Sequence, residues 1–175
     1  MAKKCYIGID IGIDGGLSII DENKELLCCE PMPTVEVFIN KKTRRKYNLQ
    51  EINEIIETWG KENQVSMAGM ERLRPIPKQS SQTGFSLGGG SMLFKELFTI
   101  LNFPFVEIEP HVWQKDIFNS LGVQYNKKNL KQASIQAAKQ LFPAADFKPT
   151  ERARKDSDGM TDSCLIAEYL RRHFQ

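Results

Sequence analysis

The chain of 175 residues is 41% apolar and 26% charged, an ordinary globular composition with enough apolar material for a core. Its formal net charge of +2 excludes a bulk polyelectrolyte, so the distribution of charge matters more than its total. The four cysteines (Cys5, Cys28, Cys29, Cys164) form no CxxC, and His111 and His173 lie far apart, so a zinc site is not expected.

Cys5 and Cys164 sit in apolar surroundings and read as small core residues. No apolar stretch has the length that a signal or membrane span needs, and the expectation is an intracellular, reduced, cytoplasmic protein without a membrane partner. One compact domain over 1–175 is expected from the length. Three basic runs stand out: "KKTRRK" (41–46), "KKNLK" (127–131) and "KPTERARK" (148–155). Each by itself reads equally well as a solvated loop; together, in a balanced chain, they favour a surface that faces a polyanion.

In chain order, residues 4–10 predict a first strand, and "GLSIID" (16–21) a second, joined as a hairpin through the Gly15–Gly16 turn. "ELLCCE" (25–30) predicts a third antiparallel strand. Pro31 and Pro33 then break the pattern, and the basic run 41–46 is expected to be a loop. Leu49, Ile52, Ile55, Ile56 and Trp59 make one apolar face of a helix over 49–62. "QVSMAGME" (64–71) predicts a short strand ending in Glu71. Residues 72–90, poor in periodicity and rich in Gly, Pro, Ser and Gln, are expected to form a long loop. Helices follow at 91–102, with Ser91 as N-cap, at 111–122, at 129–142 and from about Asp156 to His173; a strand lies at 103–110. Antiparallel strands followed by strands reached through helical crossovers predict an α/β fold: a mixed five-stranded sheet, three strands antiparallel and two parallel, flanked by helices.

The carboxylates carry the chemistry. Asp10 ends a core strand in "GIDIGIDGG", where an unpaired charge is costly unless a cation answers it. Glu71 ends another strand; as parallel neighbours the two ends would lie about 5 Å apart. Asp158 and Asp162 share one face of the last helix at i, i+4 spacing. Acids converging on one point hold hard divalent cations, and two such ions about 4 Å apart suit phosphodiester hydrolysis. The bland readings are a turn residue for Asp10 and a helix N-cap for Asp158, with Asp156 a rival for either role of Asp158.

The segments "GIDIGIDGGLSIID", "MERLRPIPKQSSQTGFSLGGG", "VEIEPHVWQK", "KQASIQAAKQLFP" and "DGMTDSCLIAEYL" occur in this order from about residue 5 to residue 172. Together they resemble the RuvC-type Holliday-junction resolvases, especially the phage and chloroplast branch. The resemblance implies a ribonuclease H-like fold and a homodimer that nicks opposing strands of a four-way DNA junction in recombination and repair. It implies magnesium or manganese, two ions per site, held by Asp10, Glu71, Asp158 and Asp162. Many bacterial members space their last two acids by three residues; here that position is Gly159, so Asp158 is matched and Asp156 stays in reserve. Ile11 stands where a proline often follows the first acid.

The resemblance also matches Lys131 to a lysine near the scissile phosphate, against the plainer reading of a solvated helix lysine. It places Arg72, Arg74, Lys78, Lys127 and Lys128 as phosphate contacts. Phe85 becomes a wedge or stacking residue in the junction, against an equal reading as a core anchor. The helix 91–102, apolar on more than one side, is either a dimer interface or a central core helix. A phage-encoded protein in a host cell, or an organellar one, also fits that branch. The rival readings are another nuclease of the same fold, acting on RNA–DNA hybrids or flaps, and an actin- or sugar-kinase-like ATPase, whose phosphate loop "DIGIDGG" resembles but whose two lobes exceed this length. A junction-binding protein without catalysis is the remaining alternative.

Overall fold

A computed structural model describes residues 3–74 and 80–175, with Gln82 placed by its backbone only. Among the described residues, seven strands and five helices follow one another as β1 (Lys4–Asp10), β2 (Gly16–Asp21), β3 (Leu26–Pro31), β4 (Thr34–Ile39), β5 (Lys42–Tyr47), α1 (Leu49–Glu62), β6 (Gln64–Glu71), α2 (Ser81–Ile100), β7 (Phe105–Ile108), α3 (Pro110–Ser120), α4 (Leu130–Leu141) and α5 (Asp158–His173). Five strands form one sheet in the order β3-β2-β1-β6-β7. β1 pairs antiparallel with β2 and parallel with β6, and β6 pairs parallel with β7. The mixed five-stranded α/β sheet is as the sequence predicts.

Alternation along the central strands sorts side chains into two layers. Cys5, Ile7 and Ile9 of β1 face one way with Leu17 and Ile19 of β2 and Ala68 and Met70 of β6. They are covered by Ile52 and Ile56 of α1 and Phe94 and Phe98 of α2. Tyr6 and Ile20 face the other way, against Trp113, Ile117 and Phe118 of α3, Ala137 and Ala138 of α4, and the apolar stripe of α5. Each fully buried Leu, Ile or Phe contributes about 1.5–3 kcal/mol, so α5, with Leu165, Ile166 and Leu170 wholly buried, is held firmly on the sheet.

Close approach of α5 is permitted by glycine. A Cβ on Gly8 would lie 2.1 Å from the Ser163 carbonyl oxygen and 2.5 Å from the Ala167 nitrogen. The approach is cemented by a buried hydrogen bond between the Ser18 and Ser163 hydroxyls, 2.6 Å apart.

Two expectations need correction. The basic run is strand β5, not a loop: it pairs with β4 in a separate two-stranded sheet. Asn40 and Lys41 both have positive φ, 51° and 61°, as the favoured two-residue hairpin turn requires. The long loop is also shorter than expected. α2 begins at Ser81, capped by Ser80, whose hydroxyl accepts from the Thr83 N–H at 3.1 Å. Ser91 is therefore an interior, buried residue of the helix rather than its cap. Intrinsic propensity misleads here, because Gly84 and Gly88–Gly90 are poor helix formers. The helix survives because its second half is anchored in the core through Phe94 and Phe98.

Candidate active site

The same alternation that builds the layers delivers the acids. Asp10 shares parity with Tyr6 and Gly8, so it ends β1 on the α5 face of the sheet. On β6, Gly69 meets Leu170 of α5, and Glu71, two residues on, shares that face. The parallel register pairs Ile9 with Met70, which sets Asp10 and Glu71 side by side at adjacent strand ends. α5 starts at the same end of the sheet. Ser157 is its N-cap, its hydroxyl accepting from the Met160 N–H at 3.3 Å, so Asp158 is the first helical residue and not the cap.

Electrostatics records the convergence. Burial pushes the Asp10 carboxyl well above its ordinary value; the charges of Asp162, Glu71 and Asp158 push it further, and Lys131 opposes them. Burial likewise raises Asp162 to about 7, with Glu71 and Asp158 adding to the rise and the Ser134 hydroxyl and Lys131 opposing it. One oxygen of Asp162, Oδ1, is sealed from solvent without a hydrogen-bond partner. Glu71 is raised by burial and lowered by the Trp113 indole, whose Nε1–H donates to Glu71 Oε1 at 3.0 Å. The charges of the four acids thus act on one another, and Asp162 Oδ1 is buried at the cost of an unmade hydrogen bond.

Lys131, at the start of α4, provides a countercharge. Its Nζ lies 2.5 Å from Asp158 Oδ2, and the charges of Asp162 and Asp10 also raise its pKa after the dominant Asp158 contact. Asp156 is paired with Lys139 at 2.6 Å. Gly159 has no room for a side chain, since a Cβ there would lie 2.4 Å from the Asp14 carbonyl oxygen. An acid at that position is therefore incompatible with this packing, and the four-residue spacing of Asp158 and Asp162 follows.

The donors are hard carboxylate oxygens, which suit magnesium, and the buried, mutually repelling charges fit a divalent ion. Among the described residues, no three His, Cys, Asp or Glu side chains are so placed that they could hold a metal ion together. The acids lie in one cluster whose outer member, Asp158, is turned to Lys131.

Arg72 and Arg74 follow β6 directly, and both pair with Glu109, at 3.5 and 2.6 Å. Lys127 and Lys128 are exposed on the turn before α4. Phe85 is on α2 and 86% exposed, which overturns its reading as a core anchor. Lys78 lies outside the described residues. Sequence reasoning missed the roles of Trp113 and Ser134. The segment "EPHVWQK" did carry a signal, since a buried Trp needs an acceptor for its N–H.

No protein-family model matches the chain, and a search of curated proteins finds no match. Among solved structures, the chain is similar to Thermus thermophilus RuvC in complex with a Holliday junction substrate, at TM-score 0.59 and 12% identity over 97% of this chain and 95% of that one. It is similar to another Thermus thermophilus RuvC structure at TM-score 0.53 and 11% identity, covering 96% and 95% of the two chains. The yeast mitochondrial Holliday junction resolvase Ydc2 matches at TM-score 0.50 and 15% identity, covering 98% of this chain and 79% of that one. These likenesses establish the class of fold: an RNase H-like α/β domain of the kind found in the RuvC resolvases.

Proposed function

We propose that this protein is a structure-selective endonuclease that resolves four-way DNA junctions by paired symmetric nicks. The observation that carries the reading is the convergence of Asp10, Glu71, Asp158 and Asp162, with Lys131, at one end of an RNase H-like sheet. The solved structure of this fold that holds a Holliday junction supports the choice of substrate.

Asp10, Glu71, Asp158 and Asp162 would hold two divalent ions, magnesium or manganese. When bound, the ions supply the positive charge that lowers the barrier to phosphodiester hydrolysis. The chain's own residues do the rest. Trp113 fixes the rotamer of Glu71 through its N–H. Lys131, 75% exposed at its side chain, is free to exchange Asp158 for the scissile phosphate and to stabilise the charge that develops there. The products are a 5′-phosphate and a 3′-hydroxyl. Arg72, Arg74, Lys127 and Lys128 supply phosphate contacts around the cleft, Arg72 and Arg74 after release from Glu109. The chain acts as a homodimer through the outer face of α2, where Met92 and Ile100 are 59% and 79% exposed while Phe94 and Phe98 on the inner face are buried. Sedimentation at several concentrations tests this interface.

The decisive experiment incubates the protein with a synthetic mobile junction and magnesium and maps nicks on all four strands, with an RNA–DNA hybrid and a flap in parallel. Symmetric nicks confined to opposing strands of the junction are expected. Preferential cutting of the hybrid or flap overturns the substrate assignment. Asp10→Asn is expected to bind the junction and leave it uncut; wild-type cleavage by that variant rejects the site.

A further inference from the structure

The β4–β5 hairpin is not used by the site described above, yet it carries the densest positive charge in the chain. Among the described residues β5 pairs with β4 alone, and its other edge carries no strand. That edge forms one wall of a groove of about 900 Å³ whose opposite wall is the N-terminal half of α2. Lys42, Arg44 and Lys46 line the groove and, among the described residues, have no acidic partner. Arg45, between them, pairs with Asp14 in the segment that follows Asp10, which ties the hairpin to the rim of the acidic cluster.

The facing wall is open at Gly89, where a Cβ would meet nothing within 4 Å, and closed at Gly90, where a Cβ would run into the Tyr47 hydroxyl; Phe85 on the same wall stands 86% exposed. No Asp or Glu lines the groove. Cations on an edge strand also serve to block edge-to-edge pairing. That role does not call for an acid-free groove, a small-residue wall and an exposed aromatic opposite. Backbone can approach such a wall closely, and an aromatic ring offers a stacking surface.

We infer that the groove between β5 and the N-terminal half of α2 binds the sugar–phosphate backbone of a DNA strand leaving the catalytic cleft. The inference rests on the nuclease reading above and extends it to a second contact region. Lys42, Arg44 and Lys46 alternate along the strand, so successive cations stand about 6.8 Å apart. Such a row of cations follows the row of charges along a sugar–phosphate backbone. The ends of the hairpin are anchored by the edge-on packing of Tyr47 on Phe94 and by the Asn48 N–H donating to the Pro33 carbonyl at 2.9 Å. Exposed changes along β5 therefore leave the scaffold intact.

The test measures binding of a fluorescent four-way junction, in EDTA, as a function of salt. The Lys42→Ala/Arg44→Ala/Lys46→Ala variant is compared with the wild type and with a Lys4→Ala/Lys61→Ala/Lys115→Ala control of equal charge, and circular dichroism checks that all three fold. Each lost phosphate contact lowers the slope of log K against log salt by about 0.9, so the groove variant is expected to lose about 2–3 of the slope and the control to keep it. Phe85→Ala is expected to weaken binding several-fold at an unchanged slope. A folded groove variant with the wild-type slope overturns the inference. Should the wild type nick no junction with magnesium while the groove variant still loses slope on duplex DNA, the resolvase reading falls and the groove stands. Should junctions be nicked and the slope persist, the groove alone falls.

Discussion

Replacing Gly8 by Ala probes the contact on which the whole site depends. The added methyl would sit 2.1 Å from the Ser163 oxygen and 2.5 Å from the Ala167 nitrogen. Both obstacles are backbone atoms in the middle of α5, so no side chain can swing aside. Ordinary contact needs more than about 1 Å of extra separation, which α5 or β1 must supply by moving. Forced overpacking of this kind costs about 1–3 kcal/mol, and rigid backbone on both sides places Gly8→Ala at the upper end. Asp162 adjoins Ser163, so the same shift carries it away from Asp10. A 1 Å misplacement in a catalytic constellation costs about 100-fold in rate. Urea unfolding reads the first effect, and single-turnover junction cleavage the second. Gly88→Ala is the control: nothing lies within 4 Å of its Cβ, and helix propensity predicts a gain of about 0.5–1 kcal/mol. If Gly8→Ala unfolds at the wild-type urea concentration and cuts at the wild-type rate, α5 does not bear on β1 as described.

Glu168 is 1% exposed and paired with both Arg171 and Arg172 at 2.8 Å. Burial pushes its carboxyl up, but the hydrogen bonds from the two guanidinium groups outweigh this and hold it below the ordinary range. A depressed carboxyl binds fewer protons folded than unfolded, so its stabilisation is complete above the unfolded value near 4.3 and disappears as pH falls through the folded one. Glu168→Gln is therefore expected to cost about 3 kcal/mol in urea at pH 7, with the gap to wild type narrowing below about pH 4; a gap that widens on acidification contradicts the pairing. Trp113→Phe keeps an aromatic ring in the core but removes the donor to Glu71. The magnesium concentration for half-maximal protein stabilisation, read by thermal shift, is expected to rise about tenfold, as for loss of an outer partner of a metal ligand, whereas an unchanged midpoint removes Trp113 from the site.

The layered sheet was legible in the sequence because its signals are local. The continuous apolar run of β1 and the three- and four-residue spacing in α1 are consequences of backbone geometry, and each survives without its neighbours. The same geometry already places Asp10 and Glu71 at strand ends. The hairpin was concealed because β4 and β5 pair with each other at the surface, where a strand needs no apolar face and "KTRRK" looks like a loop. The first turns of α2 were concealed by their glycines, whose helical state is imposed by the packing of Phe94 and Phe98 further along.

Tertiary structure alone decided the partners of the acids near the start of α5. The spacing in the sequence sets Asp158 on the face of Asp162; the fold adds that Lys131 answers Asp158 and Lys139 answers Asp156, both brought alongside by α4. The absence of an acid at position 159 is explained only by the Asp14 backbone lying against Gly159. Local period and strand parity depend on a residue's own neighbours along the chain, and a reader of the sequence can see those. Which charge answers which depends on separate segments of the chain meeting within a few ångströms, and only the folded chain brings them together.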